Sequence, residues 1–398
     1  MTNRISTSAM HATVIGQILA RQTDLAKTQN QVASGKRVQS PSDDPVATTQ
    51  ILDLERGRAQ LEQFSKNSDA ATARLNMGEQ AMADANDLLQ RVRELTIQAN
   101  SGVIDATSRA SIATELKARA QELQDLANRR DANGEYLFSG FSTQTQPFSR
   151  GSTGVSYAGD QGVRNLQIGP DQRVADSYSG QEAFMNVPQG NGTFVVATGV
   201  HNGTGSIDTG QVTNAAAWVR GSYTVQFTSA STWQVVNAAS TVVASGAYTD
   251  GGAIAFNGIQ VSVTGSPAAG DTFTVAPAAT ESIFTSIDKL VTSLTTGADD
   301  PVGRAQLNTS LGISLQQFDQ ALDHVTNLRA GIGARLSSID SATASRQQLD
   351  DSMTTSLSQL RDVDYAEAVS RMNQQLVGLQ AAQAAYSRIA QLSLFNYL

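Results

Sequence analysis

Between Arg361 and Leu398 the apolar residues recur at the spacing of a helix seam, with no stop signal before the end of the sequence. Val369, Met372, Leu376, Leu379, Tyr386 and Ala390 fall on one stripe, and Gln383 alone is out of character. Burying a side chain such as Leu376 is worth roughly 1.5–3 kcal/mol, which a solitary helix cannot collect from water. The stripe therefore predicts a partner. At the other end of the sequence Ile18, Leu25 and Val32 stand seven apart and Val14 extends the same face. Both ends read as halves of a coiled coil.

The pattern between them is taken in order. A first helix is expected from about Ile5 to Ala33, with Gly35 placed as a left-handed C-terminal cap. In Ser40-Pro41-Ser42-Asp43-Asp44-Pro45, Asp44 is placed to cap the next helix and Pro45 to open its first turn. That helix, Val46 to Ala99, is broken by isolated Gly57 and Gly78, and it would make a rod of roughly 80 Å at ~1.5 Å per residue. Asn100-Ser101-Gly102 marks a turn, and a third helix is expected from about Asp105 to Arg130, ended by Asn133-Gly134. Gln90, Arg91, Arg93, Glu94 and Leu95 form the most charged piece of the rod, a composition that a solvated helix face explains.

Beyond Phe141 the period switches to two. Tyr223, Val225 and Phe227 alternate with polar residues, as do Ile259, Val261 and Val263, which predicts half-buried antiparallel strands. Asp250-Gly251 and Asn257-Gly258 supply turns, the latter as a two-residue hairpin. Residues 145–280 hold most of the Gly and both Trp but no Lys, a composition of short strands and turns. Trp218 and Trp233 could stack on a sugar, but aromatic residues in strands are more often core.

Helical pattern returns at about Glu281. After Asp299-Asp300-Pro301, where Asp300 caps and Pro301 opens the helix, Leu311, Phe318, Val325, Ile332, Ile339, Arg346, Met353 and Leu360 lie seven apart. The register fails at Glu367, so Arg361 to Tyr365 reads as a hinge. The expected fold is mainly α with an inserted β domain: a long-helix coiled-coil bundle formed by both chain ends plus a β-rich outer domain. Its segments are 1–40 and 362–398 for the terminal coiled coil, 41–141 and 281–361 for the helical rod, and 142–280 for the insert. A chain that goes out and returns in this way brings its ends together.

Composition narrows the function. With a net charge of -8 and five Lys, a phosphate-tracking face is not supported, so no nucleic-acid partner is expected. Cys is absent, which excludes disulfides and thiolate chemistry. Gly16 and Gln17 interrupt the first apolar patch, disfavouring a cleaved signal peptide, and no run reaches membrane-spanning length, so no membrane insertion is expected. His11, His201 and His324 lack metal-ligand spacing, no Gly-rich loop matches a phosphate cradle, and Asp43/Asp44 and Asp299/Asp300 read as caps. No catalytic, cofactor-binding or metal residues are assigned; the expectation is a structural protein, not an enzyme.

Val32-Ala33-Ser34-Gly35-Lys36-Arg37-Val38 followed by Pro41-Ser42-Asp43-Asp44-Pro45 resembles the amino-terminal signature of bacterial flagellins and their relatives. Asp362-Val363-Asp364-Tyr365-Ala366-Glu367 and Leu379-Gln380-Ala381-Ala382-Gln383-Ala384 are similar to that family's carboxyl end. Asn133 to Gly140 and the ending Ser393 to Leu398 resemble its hook-filament junction proteins more than filament flagellin, and Gly221 to Val275 resembles an insert shared by hook-associated proteins. The resemblance implies a secreted, extracellular subunit of the bacterial flagellum. It would leave through the flagellar type III apparatus with an export chaperone and assemble with copies of itself in a ring between hook-associated protein 1 and flagellin. The terminal helices would then pack against those of neighbouring subunits, and disordered ends before assembly are expected, since isolated seams of this kind are marginal without partners. Gln90 to Leu95 also resembles the flagellin stretch sensed by an innate immune receptor. Two alternatives stay open: filament flagellin itself, and a carbohydrate-binding protein on a helical stalk.

Overall fold

The computed structural model describes residues 7–101 and 104–395; Ile5, Gly102 and the final Asn396-Tyr397-Leu398 lie outside the described residues. Helices α1 (Thr7–Ser34), α2 (Pro45–Ala99) and α3 (Ala106–Ala127) precede the strands, and α4 (Ile283–Thr296), α5 (Pro301–Arg361) and α6 (Tyr365–Phe395) follow them. The helix ends follow local chemistry. Gly35 takes φ +72° after α1, Asp44 Oδ1 accepts from Ala47 N at 3.0 Å, and Asp300 Oδ1 accepts from Gly303 N at 3.2 Å. Asp105 caps the start of α3 through Ser108 N, and the helix ends at Ala127, short of the expected Arg130. Ser282 caps α4 through Phe284 N at 3.1 Å, so that helix opens just after the expected Glu281.

The chain divides into two compact units, residues 1–66 with 342–398 and residues 67–341. The boundaries fall inside α2 and α5 rather than at the turns that separate the five segments read from sequence. In the first unit α1 packs along α6, and Val38, Ala47, Ile51 and Leu357 form a small core with Leu54 and Leu360 against it. Gly57 is tolerated within α2 because Met353 Cε stands 3.1 Å from where its Cβ would be, so the missing side chain admits the methionine.

In the second unit, burial follows the seven-residue spacing. Leu75, Met82 and Leu89 of α2 and Leu311, Phe318, Val325, Ile332 and Ile339 of α5 are buried, with α3 and α4 packed together. Burial on that α5 register stops at Ile339. Arg346, Met353 and Leu360 are half-buried, and Ala342 and Leu357 are the buried positions beyond.

Fifteen strands are present among the described residues, and their pairings are antiparallel. β1 (Phe148–Gly151) pairs β2 (Gly154–Tyr157), and β3 (Asn165–Gln167) pairs β4 (Arg173–Ala175). The remainder are β5 (Val187–Pro188), β6 (Phe194–Thr198), β7 (Ser206–Ile207), β8 (Gln211–Val212), β9 (Tyr223–Ser229), β10 (Thr232–Asn237), β11 (Val242–Ala247), β12 (Ala253–Phe256), β13 (Ile259–Thr264), β14 (Thr272–Pro277) and β15 (Thr280–Glu281). A five-stranded sheet runs β11-β10-β9-β14-β6, β12-β13-β7 belong to a second sheet that β8 also joins, and β15 pairs β5. The inward set Tyr223, Val225, Phe227, Ile259, Val261 and Val263 joins Phe194, Phe273 and Val275 in one buried cluster. Asn257 (φ 45°) and Gly258 (φ 77°) turn β12 into β13 with Phe256 opposite Ile259, the left-handed pair that a two-residue hairpin requires.

The first strands do not belong to that cluster. Phe148 of β1 stacks 5.6 Å from Phe184 and 5.5 Å from Phe284 of α4, so this part of the insert shares a core with helices. The sequence boundary between 280 and 281 separates Phe148 and Phe184 from Phe284, although the three rings share one core. Nor does the period of the sequence reveal the short π-helical turn Gln181–Met185 that carries Phe184.

Candidate assembly surface

Along the terminal pair, the expected stripe is only partly consumed by the pairing of α1 with α6. Leu25 is buried, while Val14, Ile18, Val32, Met372, Leu379 and Tyr386 are half-buried. Val369 and Leu376 remain 38% and 40% exposed, and Ala390 lies outside the described side chains. His11 meets the Tyr386 ring edge-on at 5.7 Å, and Ala368 is buried beside the start of α6. Buried Leu25 is turned inward and has no face left for a neighbour.

A second set of apolar residues on the same helices is more exposed. Met10, Ile15 and Leu19 on α1 and Tyr365 and Val377 on α6 are each between 43% and 62% exposed. Ile15 and Leu19 are four apart, so their face was legible as an i, i+4 pair, but tracing a single seam passes over it. Two helices that have found each other and still show this much apolar surface are incomplete as a bundle. Together these residues make the candidate surface.

The segments that connect the terminal helices to the long ones are tied to each other. Lys36 and Asp362 form an antiparallel bridge, Arg37 N donates to Arg361 O at 2.7 Å, and Val363 N donates to Gly35 O at 2.9 Å. The expected hinge at Arg361 to Tyr365 is thus hydrogen-bonded to a segment more than three hundred residues earlier. Asp43 is held far below the ordinary carboxylate range, first by Lys27 at 2.9 Å and then by the Ser40 and Gln39 amides. Asp44 is lowered too, chiefly by the Ala47 amide it caps. These carboxylates act as structural acceptors.

On the rod, the charged patch is satisfied within its own unit. Arg91 bonds Glu94 and Glu115, which raise its pKa, and Arg93 reaches Asp319 of α5 at 2.6 Å. Gln90 is exposed, but Leu95 is 1% exposed. Leu95 belongs to the core, because it lies on the face that α2 turns inward with Leu89 and Val92, and a surface patch must be drawn without it.

A charge network that sequence reasoning missed sits beneath the Asn133 to Gly140 stretch. Arg74 of α2, with its side chain 6% exposed, contacts Asp131 at 3.2 Å and Glu135 at 3.3 Å and donates to Tyr136 O at 3.1 Å. Asp176, fully buried, pairs with Arg164 at 2.6 Å and lies 4.0 Å from Arg74. No local signal marks Arg74, since its partners are about sixty residues or more away.

Other candidate chemistry resolves into packing. Trp218 lies 5.9 Å from Phe194 and 5.8 Å from Tyr223, and Trp233 Nε1 donates to Ala247 O at 3.1 Å; both are half-buried against the β cluster. His201 meets Phe273 edge-on, and His324 Nε2 is 2.8 Å from Glu182 O. Among the described residues, no group of three or more His, Cys, Asp or Glu is placed to hold a metal ion, and no helix is long and apolar enough to cross a membrane.

Comparison with known proteins matches this architecture at both ends and in the middle. Residues 5–143 match the bacterial flagellin N-terminal helical region, residues 315–398 the bacterial flagellin C-terminal helical region, and residues 198–277 the D2-like domain of flagellar hook-associated protein 1. Flagellar hook-associated protein 3 of Escherichia coli K12 is 23% identical over 394 residues, 99% of each chain. Its counterpart in Salmonella typhimurium is 31% identical over 184 residues, a stretch that spans 46% of this chain and 57% of that one. The crystal structure of flagellar hook associated protein-3 from Legionella pneumophila superposes with a TM-score of 0.76 at 32% identity, covering 78% of this chain and 98% of that one. A structure of Xanthomonas campestris FlgL gives 0.72 at 33%, covering 77% and 99%. These relatives are structural flagellar proteins and point to no catalytic family. With helical regions of the flagellin type at both ends and hook-associated protein 3 as the shared likeness in sequence and in structure, the chain belongs to the flagellar hook-associated protein 3 family of the flagellin superfamily.

Proposed function

We propose that this chain is the structural subunit that joins hook to filament, assembling as a ring of copies between hook-associated protein 1 on one side and flagellin on the other. The observation that carries the proposal is the unfinished terminal pair. Ile15, Leu19, Val369, Leu376 and Val377 stay exposed after α1 and α6 have packed, and copies or kin with like helices would complete the bundle. The family supports this, since a solved relative from Legionella pneumophila is described as a flagellar junction protein. Export through the flagellar type III apparatus to an extracellular position, with a chaperone covering the apolar stripe on the way, follows from the same proposal. A chain without Cys suits such a route.

Seeded polymerisation tests it. Purified protein added to hook fragments capped with hook-associated protein 1 should bind and stop at a short layer, and should then support growth by added flagellin. Growth of the protein by itself into long filaments would assign it to the filament instead.

A further inference from the structure

We infer that the buried Arg74 cluster of the second unit holds one ordered water molecule, bonded at once to Arg74 Nε and Asp176 Oδ1, in the room left by the missing side chain of Gly78. The hydrogen-bond inventory of the two side chains points there. Arg74 Nη1 is engaged by Asp131 (3.2 Å) and Glu135 (3.3 Å) and Nη2 by Tyr136 O (3.1 Å), while Asp176 Oδ2 accepts from Arg164 Nε at 2.7 Å and pairs with its Nη2 at 2.6 Å. One N–H and one carboxylate oxygen are left over. These are Arg74 Nε and Asp176 Oδ1, each shielded from solvent and without a hydrogen-bond partner among the described residues, on side chains of residues only 5% and 1% exposed. An unmatched donor or acceptor of a charged group is costly in such a place.

The two groups do not meet directly. Arg74 Nε lies 4.0 Å from the Asp176 carboxylate, beyond hydrogen-bond length and within the span that a shared water bridges. Both residues line a cavity whose apolar wall includes Leu75, Phe138 and Ile332, and the space there open to the centre of a water molecule is about 10 Å³, room for a single one. Gly78 accounts for the space. It lines the same cavity four residues beyond Arg74 on one face of α2, and the nearest neighbour of a Cβ added there would be Ile332 Cδ1, at 3.9 Å. Alanine, the better residue in a helix interior, would therefore fit, and its methyl group would take the water's place. Charge selects what enters. A cation would face the Arg74 guanidinium and an anion the carboxylates of Asp131, Glu135 and Asp176, whereas one water accepts from Nε–H and donates to Oδ1. The bridge ties α2 to the segment that carries Tyr178 and leads into the π-helical turn of Phe184.

The test is a crystal structure of the full chain at a resolution that shows ordered waters, and its outcome does not depend on where the chain sits in the flagellum. The parent should show a density peak about 2.6–3.2 Å from both Arg74 Nε and Asp176 Oδ1. Gly78→Ala should remove that peak and lower the melting temperature of the second unit by about 2–4 °C, because the lost bridge outweighs the better helix residue. Should the variant not fold, the parent map decides alone. No peak in the parent, direct contact between Nε and Oδ1, a peak that persists in Gly78→Ala, or a folded variant that melts no lower than the parent would overturn the inference.

Discussion

Replacing Leu376 separates folding from assembly. The residue sits on α6 with 40% of its surface exposed, so most of it is already covered within the chain. Taking full burial of Leu as roughly 1.5–3 kcal/mol, a neighbour that covers the rest gains about 0.6–1.2 kcal/mol per subunit. The covered share, about 1–2 kcal/mol on the same scale, supports pairing with α1 and is lost in any truncation. Leu376→Ala therefore serves as the control. Leu376→Asp loses the same contacts and adds a carboxylate that a neighbour must desolvate, at a cost of several kcal/mol. Since about 1.4 kcal/mol is tenfold in an equilibrium, the Asp variant should incorporate at least a hundredfold less than the Ala variant. Both should keep the second unit folded, with the same melting transition. The assay is the amount of the chain per isolated hook by quantitative immunoblot, with flagellin shed into the medium as the second readout. Equal incorporation of the Asp and Ala variants would refute a buried interface at this position.

Three further outcomes are expected. Arg74→Ala removes the cation that pairs with Asp131, leaving that carboxylate the Asn133 and Glu135 amides, and weakens the surroundings of buried Asp176, so the second unit should lose about 3–5 kcal/mol, read as a lower urea midpoint. An unchanged midpoint would mean the network is dispensable. Gly140 has φ +72° and a Cβ there would collide with Asp160, so Gly140→Ala should destabilise the second unit by about 1–3 kcal/mol in thermal melts; a neutral result would contradict the turn geometry. Asp160 accepts from Phe141 N, Ser142 Oγ and Gly162 N, which lower its pKa below the ordinary 3.8. Its contribution is present above that value and lost as pH falls through the depressed one, so stability should drop below about pH 4, and Asp160→Asn should show a smaller drop between about pH 6 and pH 3.

What was legible in the sequence was local. The caps at Gly35, Asp44 and Asp300 depend on residues a few positions away, and the hairpin at Asn257-Gly258 on two adjacent ones, so each could be placed from the chain alone. Seven-residue spacing located the buried face of α5 as far as Ile339 because that stretch packs on one side throughout. Long-range partners were not legible. Arg37 meets Leu360, Arg93 meets Asp319 and Arg74 meets Asp131, pairings that no periodicity encodes, so the ties between the connecting segments and the ion pairs of the rod were not foreseen. Leu95 was placed on the surface by the charges around it, whereas its spacing from Leu89 and Val92 puts it inside. The terminal seam was half legible, since one stripe per helix was traced and the exposed Met10, Ile15, Leu19, Tyr365 and Val377 lie off it.

Position on the flagellum is the most direct measurement of the central claim. Antibody against this chain, applied to isolated flagella and seen by electron microscopy, should label a single narrow band where the hook meets the filament, with one band per flagellum. Label running along the filament, or absent from intact flagella, would contradict a junction subunit.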